Sequence, residues 1–241
     1  MVLHLAQGLA TIAIVFPRAG RPRRDRLIRQ WGAKLLKIFA VRVSVDAPHG
    51  FDALAPQRLF VGNHVSWLDI YVMQAITASR FVAKSELAAW PVLGRLVRDT
   101  GTIFIERARR SDTRRINSVL KQHLSDGDII AAFPEGTTSD GHDVRKFHAN
   151  LFQSALDAGA QIVPFCLRYT DAKGQLSTAP AYINDLTFWD SIKLTLREPR
   201  LRCELTIFSP LETAGRDRRQ LAHAAETLVR QRLQGHTRQD R

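Results

Sequence analysis

Cysteine, acidic residues and long apolar runs are all scarce in this sequence, and each shortage removes a class of protein. Only two cysteines occur in 241 residues, Cys166 and Cys203. Two thiols far apart give neither a disulfide framework nor a zinc-ligand spacing. Both sit in apolar, strand-like stretches, Val163 to Leu167 and Leu201 to Ile207, and read as reduced core thiols of an intracellular protein. An apolar setting raises a thiol's pKa and argues against a cysteine nucleophile. No Gly-x-Ser-x-Gly elbow occurs, so the commonest serine-hydrolase layout is missing. The most apolar stretch, Leu5 to Phe16, is broken by Gln7 and Gly8 and falls short of the ~20 residues that span a bilayer. No basic segment precedes it, which argues against a secretory signal.

Acid is outnumbered by base: 23 Asp plus Glu against 35 Lys plus Arg, a formal net charge of +12. The excess favours a polyanionic partner, whether nucleic acid, anionic lipid headgroups or an acidic carrier protein. Its placement narrows the choice. Arg18, Arg21, Arg23, Arg24, Arg26 and Arg29 crowd behind the apolar stretch, and Leu27, Ile28, Trp31, Leu35, Ile38 and Phe39 then recur at helical spacing. A basic amphipathic helix beside an apolar segment suits the cytoplasmic side of a membrane interface. No recognition-helix, zinc or aromatic RNA-binding signature supports nucleic acid. A helix packing on an ordinary core fits the same periodicity. Residues 1–40 are expected to be an apolar and basic segment that docks, peripherally or monotopically, on an anionic membrane surface.

Beyond it, strand-like and helical patterns alternate. Strands are expected at Val41–Val45, Arg58–Val61, Phe81–Ala83, Thr102–Ile105, Ile129–Phe133, Ile162–Leu167 and Leu201–Phe208. Helices are expected at Leu68–Ala78, Glu86–Val97, Asp112–Leu124, Leu151–Ala158 and Gln220–Leu233. This predicts one α/β domain over 41–234, a largely parallel mixed sheet flanked by helices, with a polar tail at 235–241. Pro164, inside an apolar run, predicts an edge strand or a bulge.

Four segments carry candidate chemistry. Asn63-His64-Val65-Ser66-Trp67-Leu68-Asp69 follows an apolar strand and a glycine. Strand-to-helix junctions expose side chains at a sheet's carboxyl edge. An aspartate five residues after a histidine can fix its tautomer and stabilise the imidazolium, which is what a general base needs. The spacing alone is uninformative, because His123 and Asp128 repeat it at the end of a polar helix. Gly101-Thr102-Ile103-Phe104-Ile105-Glu106-Arg107 delivers Arg107 at a strand end, where a guanidinium can grip phosphate or carboxylate; a solvated basic loop is the plainer account. Phe133-Pro134-Glu135-Gly136-Thr137 puts a glycine in a polar turn after a buried strand, where backbone N–H groups can approach an anion. The fourth, Ile162-Val163-Pro164, is weak.

Taken in order, His-x4-Asp, Gly-x-x-Phe-Ile-x-Arg, Phe-Pro-Glu-Gly-Thr and Val-Pro resemble the glycerolipid acyltransferase family, whose best-known members are 1-acyl-glycerol-3-phosphate acyltransferases. The resemblance runs from roughly Phe60 to Arg168. It implies His64 as catalytic base and Asp69 as its orienting partner. It also implies Arg107 at the acceptor's phosphate, Glu135, Gly136 and Thr137 in the acceptor-binding turn, and Lys84 beside the acceptor. It implies an acyl group moving from acyl-CoA or acyl carrier protein to the free hydroxyl of a lysolipid, with no metal or tightly held cofactor. Lysophosphatidate is the first acceptor. Phosphate-handling members commonly carry an arginine where this chain has Thr138, which makes a lyso-amino-lipid such as lyso-ornithine lipid the second. A catalytically inactive lipid-binding relative, or a hydrolase using His64 and Asp69 on water, are the remaining alternatives.

Overall fold

Period-two alternation along the strands sorts the apolar side chains onto the two faces of one sheet. The structure, a computed structural model, describes residues 1–47, 52, 55–90, 93–105 and 110–239. Its strands are β1 (Arg42–Asp46), β2 (Arg58–Gly62), β3 (Arg80–Lys84), β4 (Ile103–Ile105), β5 (Ile129–Ala132), β6 (Gln161–Thr170) and β7 (Arg202–Ile207). Their order is β1-β7-β6-β2-β5-β3-β4. Every neighbouring pair is parallel except β6 with β7. The expected mixed, largely parallel sheet is what forms.

On β2, Leu59 and Val61 point to one face and Phe60 to the other. The first face, with Ile130 and Ile162, is covered by α5 (Arg110–Ser125), α6 (Asn150–Ala158) and α8 (Arg218–Gln239) through Leu120, Leu124, Phe152 and Val229. The second, with Phe165 and Leu167, is covered by α2 (Arg21–Ile38), α3 (Leu68–Ile76) and α7 (Phe188–Arg197) through Leu35, Leu36, Met73 and Ile192. Cys166 and Cys203 are buried and free. Burial pushes the Cys166 thiol up to about 12 and the Cys203 thiol up as well, which disfavours the thiolate at both positions.

The N-terminal forty residues take a form that periodicity did not specify. α1 (Val2–Ala10) continues through a π-helical turn (Thr11–Val15) and a short 3₁₀ turn (Phe16–Arg18), and α2 then runs back. Leu35, Leu36 and Phe39 are all but inaccessible. At roughly 1.5–3 kcal/mol for each fully buried side chain, they fasten α2 to the sheet as a core element. Ile12 and Phe16 pack on Ile28 and Leu96 of α4 (Leu93–Asp99). The His4 ring stacks on Trp31 at 4.4 Å, and the Trp31 indole N–H donates to the His4 carbonyl at 3.1 Å. Val2, Leu3 and Ile14 stay exposed on the outside. Among the described residues no helix is long and apolar enough to cross a membrane.

Two local expectations change. Pro164 is not on an edge strand: β6 is paired on both sides. The ladder to β7 begins at Phe165, and the Pro164 carbonyl accepts from the Phe208 N–H at 3.0 Å where β7 ends and leaves. Only a single N–H is forgone there. The single helix expected over 86–97 is instead a 3₁₀ turn, Ser85–Ala89, followed by α4. A proline, Pro91, cannot supply the helical N–H between them.

Candidate active site

β2 lies between β6 and β5, and the loop leaving its carboxyl end is held by the backbone of β6. Asn63 makes a two-way bridge to Leu167 of β6: its side-chain amide donates to the Leu167 carbonyl, and its oxygen accepts the Leu167 N–H, both at 2.8 Å. Gly62 allows this approach, since a Cβ there would stand 2.5 Å from the Phe165 ring and carbonyl oxygen. Gly62→Ala is therefore expected to cost about 1–3 kcal/mol, as overpacking does, and to displace the His64 loop. A thermal melt compared with wild type checks it; an unchanged midpoint would show that the strands can part freely.

His64 Nδ1 and Asp69 Oδ2 are 2.8 Å apart. Asp69 is fully buried in the first turn of α3. Its Oδ2 also accepts the N–H groups of Val65 (2.7 Å) and Ser66 (2.9 Å), and Oδ1 accepts the Tyr169 hydroxyl at 2.7 Å. Burial first, then the neighbouring Asp69 carboxylate, pushes the Tyr169 phenol well up, so it donates as a neutral O–H. A carboxylate held by four donors cannot swing away. It fixes the imidazole with Nδ1–H towards itself and leaves Nε2 as the nitrogen able to take a proton. The His64 ring stacks on Phe133 at 4.0 Å, nearly parallel.

Glu135 reaches the same loop from the carboxyl end of β5. One carboxylate oxygen accepts the His64 N–H at 2.7 Å, and the other accepts the Arg145 N–H at 2.8 Å. Burial pushes its carboxyl up to about 7, against the opposing pull of those two amides and of the His64 imidazole. Both oxygens are engaged by backbone, so Glu135 acts here as a clamp that fixes the loops carrying His64 and Arg145. Gly136 has a φ of 74°, a left-handed conformation that glycine adopts without strain. Thr137 is exposed beside it. Thr138 donates its hydroxyl to the Tyr182 carbonyl, and the Tyr182 N–H donates back to the Val65 carbonyl at 2.9 Å. Lys84 ends β3 at this edge of the sheet. Arg107 lies outside the described residues, two positions past the end of β4.

A cavity of 410 Å³ opens against this constellation and is mostly apolar. His64, Phe133, Gly136, Thr137 and Thr138 form one wall. Ile12, Phe16, Leu27 and Trp31 from the N-terminal hairpin form another, with Trp67, Trp90 and Phe188 along the side. The hairpin is thus a wall of the site, a role that the apolar and basic pattern of residues 1–40 did not announce.

The second His-x4-Asp also forms a pair. His123 Nδ1 lies 2.8 Å from Asp128 Oδ2, the same distance as in the first. Asp128, however, precedes β5 at the amino edge of the sheet. Its carboxylate is shared with the guanidinium groups of Arg21 and Arg80, and neither His123 nor Asp128 lines the cavity. It is an ionic tie, its carboxylate buried and its cations partly exposed, between α2, β3 and the turn before β5. Tyr169, whose hydroxyl holds Asp69, was missed by sequence reasoning. It lies 100 positions away on β6, and the available signal was a phenol in an apolar strand, which needs a partner when buried.

A histidine–carboxylate pair thus stands at the carboxyl edge of a mixed α/β sheet, facing an apolar cavity. Residues 46–168 match the family described as Acyltransferase. Lyso-ornithine lipid O-acyltransferase of Pseudomonas aeruginosa is 38% identical over 216 residues, covering 89% of this chain and 81% of that protein. A 1-acyl-sn-glycerol-3-phosphate acyltransferase of Neisseria meningitidis is 39% identical over 163 residues, covering 66% of this chain and 62% of its own length. The crystal structure of the 1-acyl-sn-glycerophosphate acyltransferase from Thermotoga maritima shares the fold, with a TM-score of 0.69 at 19% identity, covering 98% of this chain and 94% of that one. This chain belongs to the acyltransferase family and is an enzyme of that class.

Proposed function

We propose that the enzyme moves a fatty acyl group from a thioester, on acyl-CoA or acyl carrier protein, to the free hydroxyl of a lysolipid, with His64 as general base. The observation that carries this reading is the His64–Asp69 pair on the wall of an apolar cavity. In the step proposed, His64 Nε2 takes the proton of the acceptor hydroxyl as its oxygen attacks the thioester carbonyl. The carbon–sulfur bond then breaks, and the imidazolium returns the proton to the departing thiolate. Asp69 stabilises the imidazolium between the two events. The cavity takes an acyl chain, and no metal or tightly held cofactor is needed. The exposed Val2, Leu3 and Ile14 beside the arginine cluster support a peripheral position on the anionic, cytoplasmic face of a membrane.

The acceptor headgroup is the finer question. Lysophosphatidate is the first reading, with Arg107 and Lys84 as its cations. Lyso-ornithine lipid is the second, favoured by Thr138, which offers no charge and whose hydroxyl is spent on Tyr182. The deciding experiment is transfer from labelled acyl-CoA and acyl carrier protein to a panel of lysolipids, with released fatty acid counted in parallel. Transfer to a lysolipid supports the proposal. Fatty acid released without an acceptor would make the enzyme a hydrolase, and no turnover of any kind would make it an inactive lipid-binding relative. Thr138→Arg is expected to raise the ratio of lysophosphatidate to lyso-ornithine lipid transfer by about tenfold, as one added charge-assisted contact does. An unchanged ratio would remove position 138 from the headgroup site.

A further inference from the structure

α7 turns large apolar side chains in both directions. Its start is capped by the Thr187 hydroxyl, which accepts the Asp190 N–H. Its inner face is fixed: Ser191, Ile192 and Thr195 are buried, and the Ser191 hydroxyl accepts the Trp67 indole N–H at 3.1 Å. Phe188 meets Trp67 and Trp90 edge-on, with centroids 5.4 and 5.9 Å apart, and lines the cavity. The outer face carries Trp189, 66% exposed, and Leu196, 55% exposed, seven residues apart on one stripe, with Leu194 at 38%. Lys193 and Arg197 stand exposed beside that stripe and Arg200 just beyond it. The acid on this face, Asp190, is 3.4 Å from Lys193.

A single exposed leucine is ordinary. A tryptophan and a leucine in register, flanked by cations, match the headgroup–acyl boundary instead: indoles concentrate at that depth, and each basic side chain near an anionic surface is attracted to it. We propose that the outer face of α7 is a second membrane-docking element, seating in an anionic bilayer interface and holding the cavity's Phe188 wall against the lipid. A lysolipid then enters beside α7 without crossing water. The proposal deepens the lysolipid reading and rests on it for the identity of what enters, whereas docking itself is read without turnover.

The test is sedimentation of the full chain with phosphatidylcholine vesicles, with and without phosphatidylglycerol. Trp189→Ser with Leu196→Ser is expected to weaken partition by roughly tenfold. Lys193→Glu with Arg197→Glu is expected to abolish the gain from phosphatidylglycerol. Both variants should keep wild-type transfer between a short-chain acyl thioester and a short-chain, monomeric lysolipid, which shows the site intact. Partition unchanged in both, with all loss confined to Val2→Ser, Leu3→Ser and Ile14→Ser, would overturn the proposal. So would unchanged partition with loss of transfer from acyl carrier protein alone, which would make the face a donor dock. Weakened partition in a protein that transfers no acyl group would uphold the docking and remove the function.

Discussion

Replacing His64 with alanine is expected to lower the rate of acyl transfer by ~10²–10⁴-fold, the usual loss when a general base is removed, with little change in the melting temperature. His64 is partly exposed at the cavity wall, and the backbone around it is held by other groups: Asp69 takes the Val65 and Ser66 amides, Glu135 takes the His64 amide, and the Ser139 amide donates to the His64 carbonyl at 2.7 Å. None of these contacts uses the imidazole. His123→Ala is the matched comparison, because it deletes an imidazole at the same 2.8 Å from an aspartate. Transfer should survive it nearly intact, since Asp128 keeps Arg21 and Arg80. Initial rates of both variants at saturating donor settle the matter. Equal rates would remove His64 from the chemistry.

That comparison also marks the limit of what the sequence carried. The motif spacing was legible, as were the strands and the mixed, largely parallel sheet, because β2 and β5 are short apolar runs ended by glycine or a proline-containing turn and β6 carries the apolar run Ile162 to Leu167. Spacing could not rank the two histidines, for the local turn brings each to its aspartate equally well. What separates them is the edge of the sheet and what lies beside them: Phe133 and an apolar cavity in one case, two guanidiniums in the other. α7 escaped notice because its buried positions are largely polar, Ser191 and Thr195 lying inward with Ile192. The N-terminal pattern fitted a core helix and a docking helix alike; α2 is packed as the first, while the exposed side chains of α1 suit the second. Glu135 was legible as a site residue, but its engagement of two backbone amides depends on Arg145 and His64 arriving from different loops.

Asp69 is where fold and chemistry meet, and two substitutions separate them. Asp69→Ala removes the acceptor for the Val65 and Ser66 amides and the Tyr169 hydroxyl, all in the buried interior. An unsatisfied buried donor costs about 1–3 kcal/mol, so three of them amount to several kcal/mol, a large share of the roughly 5–15 kcal/mol that holds a domain folded. This variant should melt far below wild type and lose activity through unfolding. Asp69→Asn keeps the shape. Its oxygen can take the place of Oδ2 before His64, Val65 and Ser66, and its amide can donate to the Tyr169 oxygen. The fold is expected to survive with a small loss of stability. The negative charge that steadies the imidazolium is gone, and kcat should fall by ~10²-fold or more while the KM for the lysolipid stays close to wild type, because Asp69 touches no substrate. Wild-type kcat in a well-folded Asp69→Asn enzyme would mean that the carboxylate only props the loop, leaving the His64 imidazole to act without it.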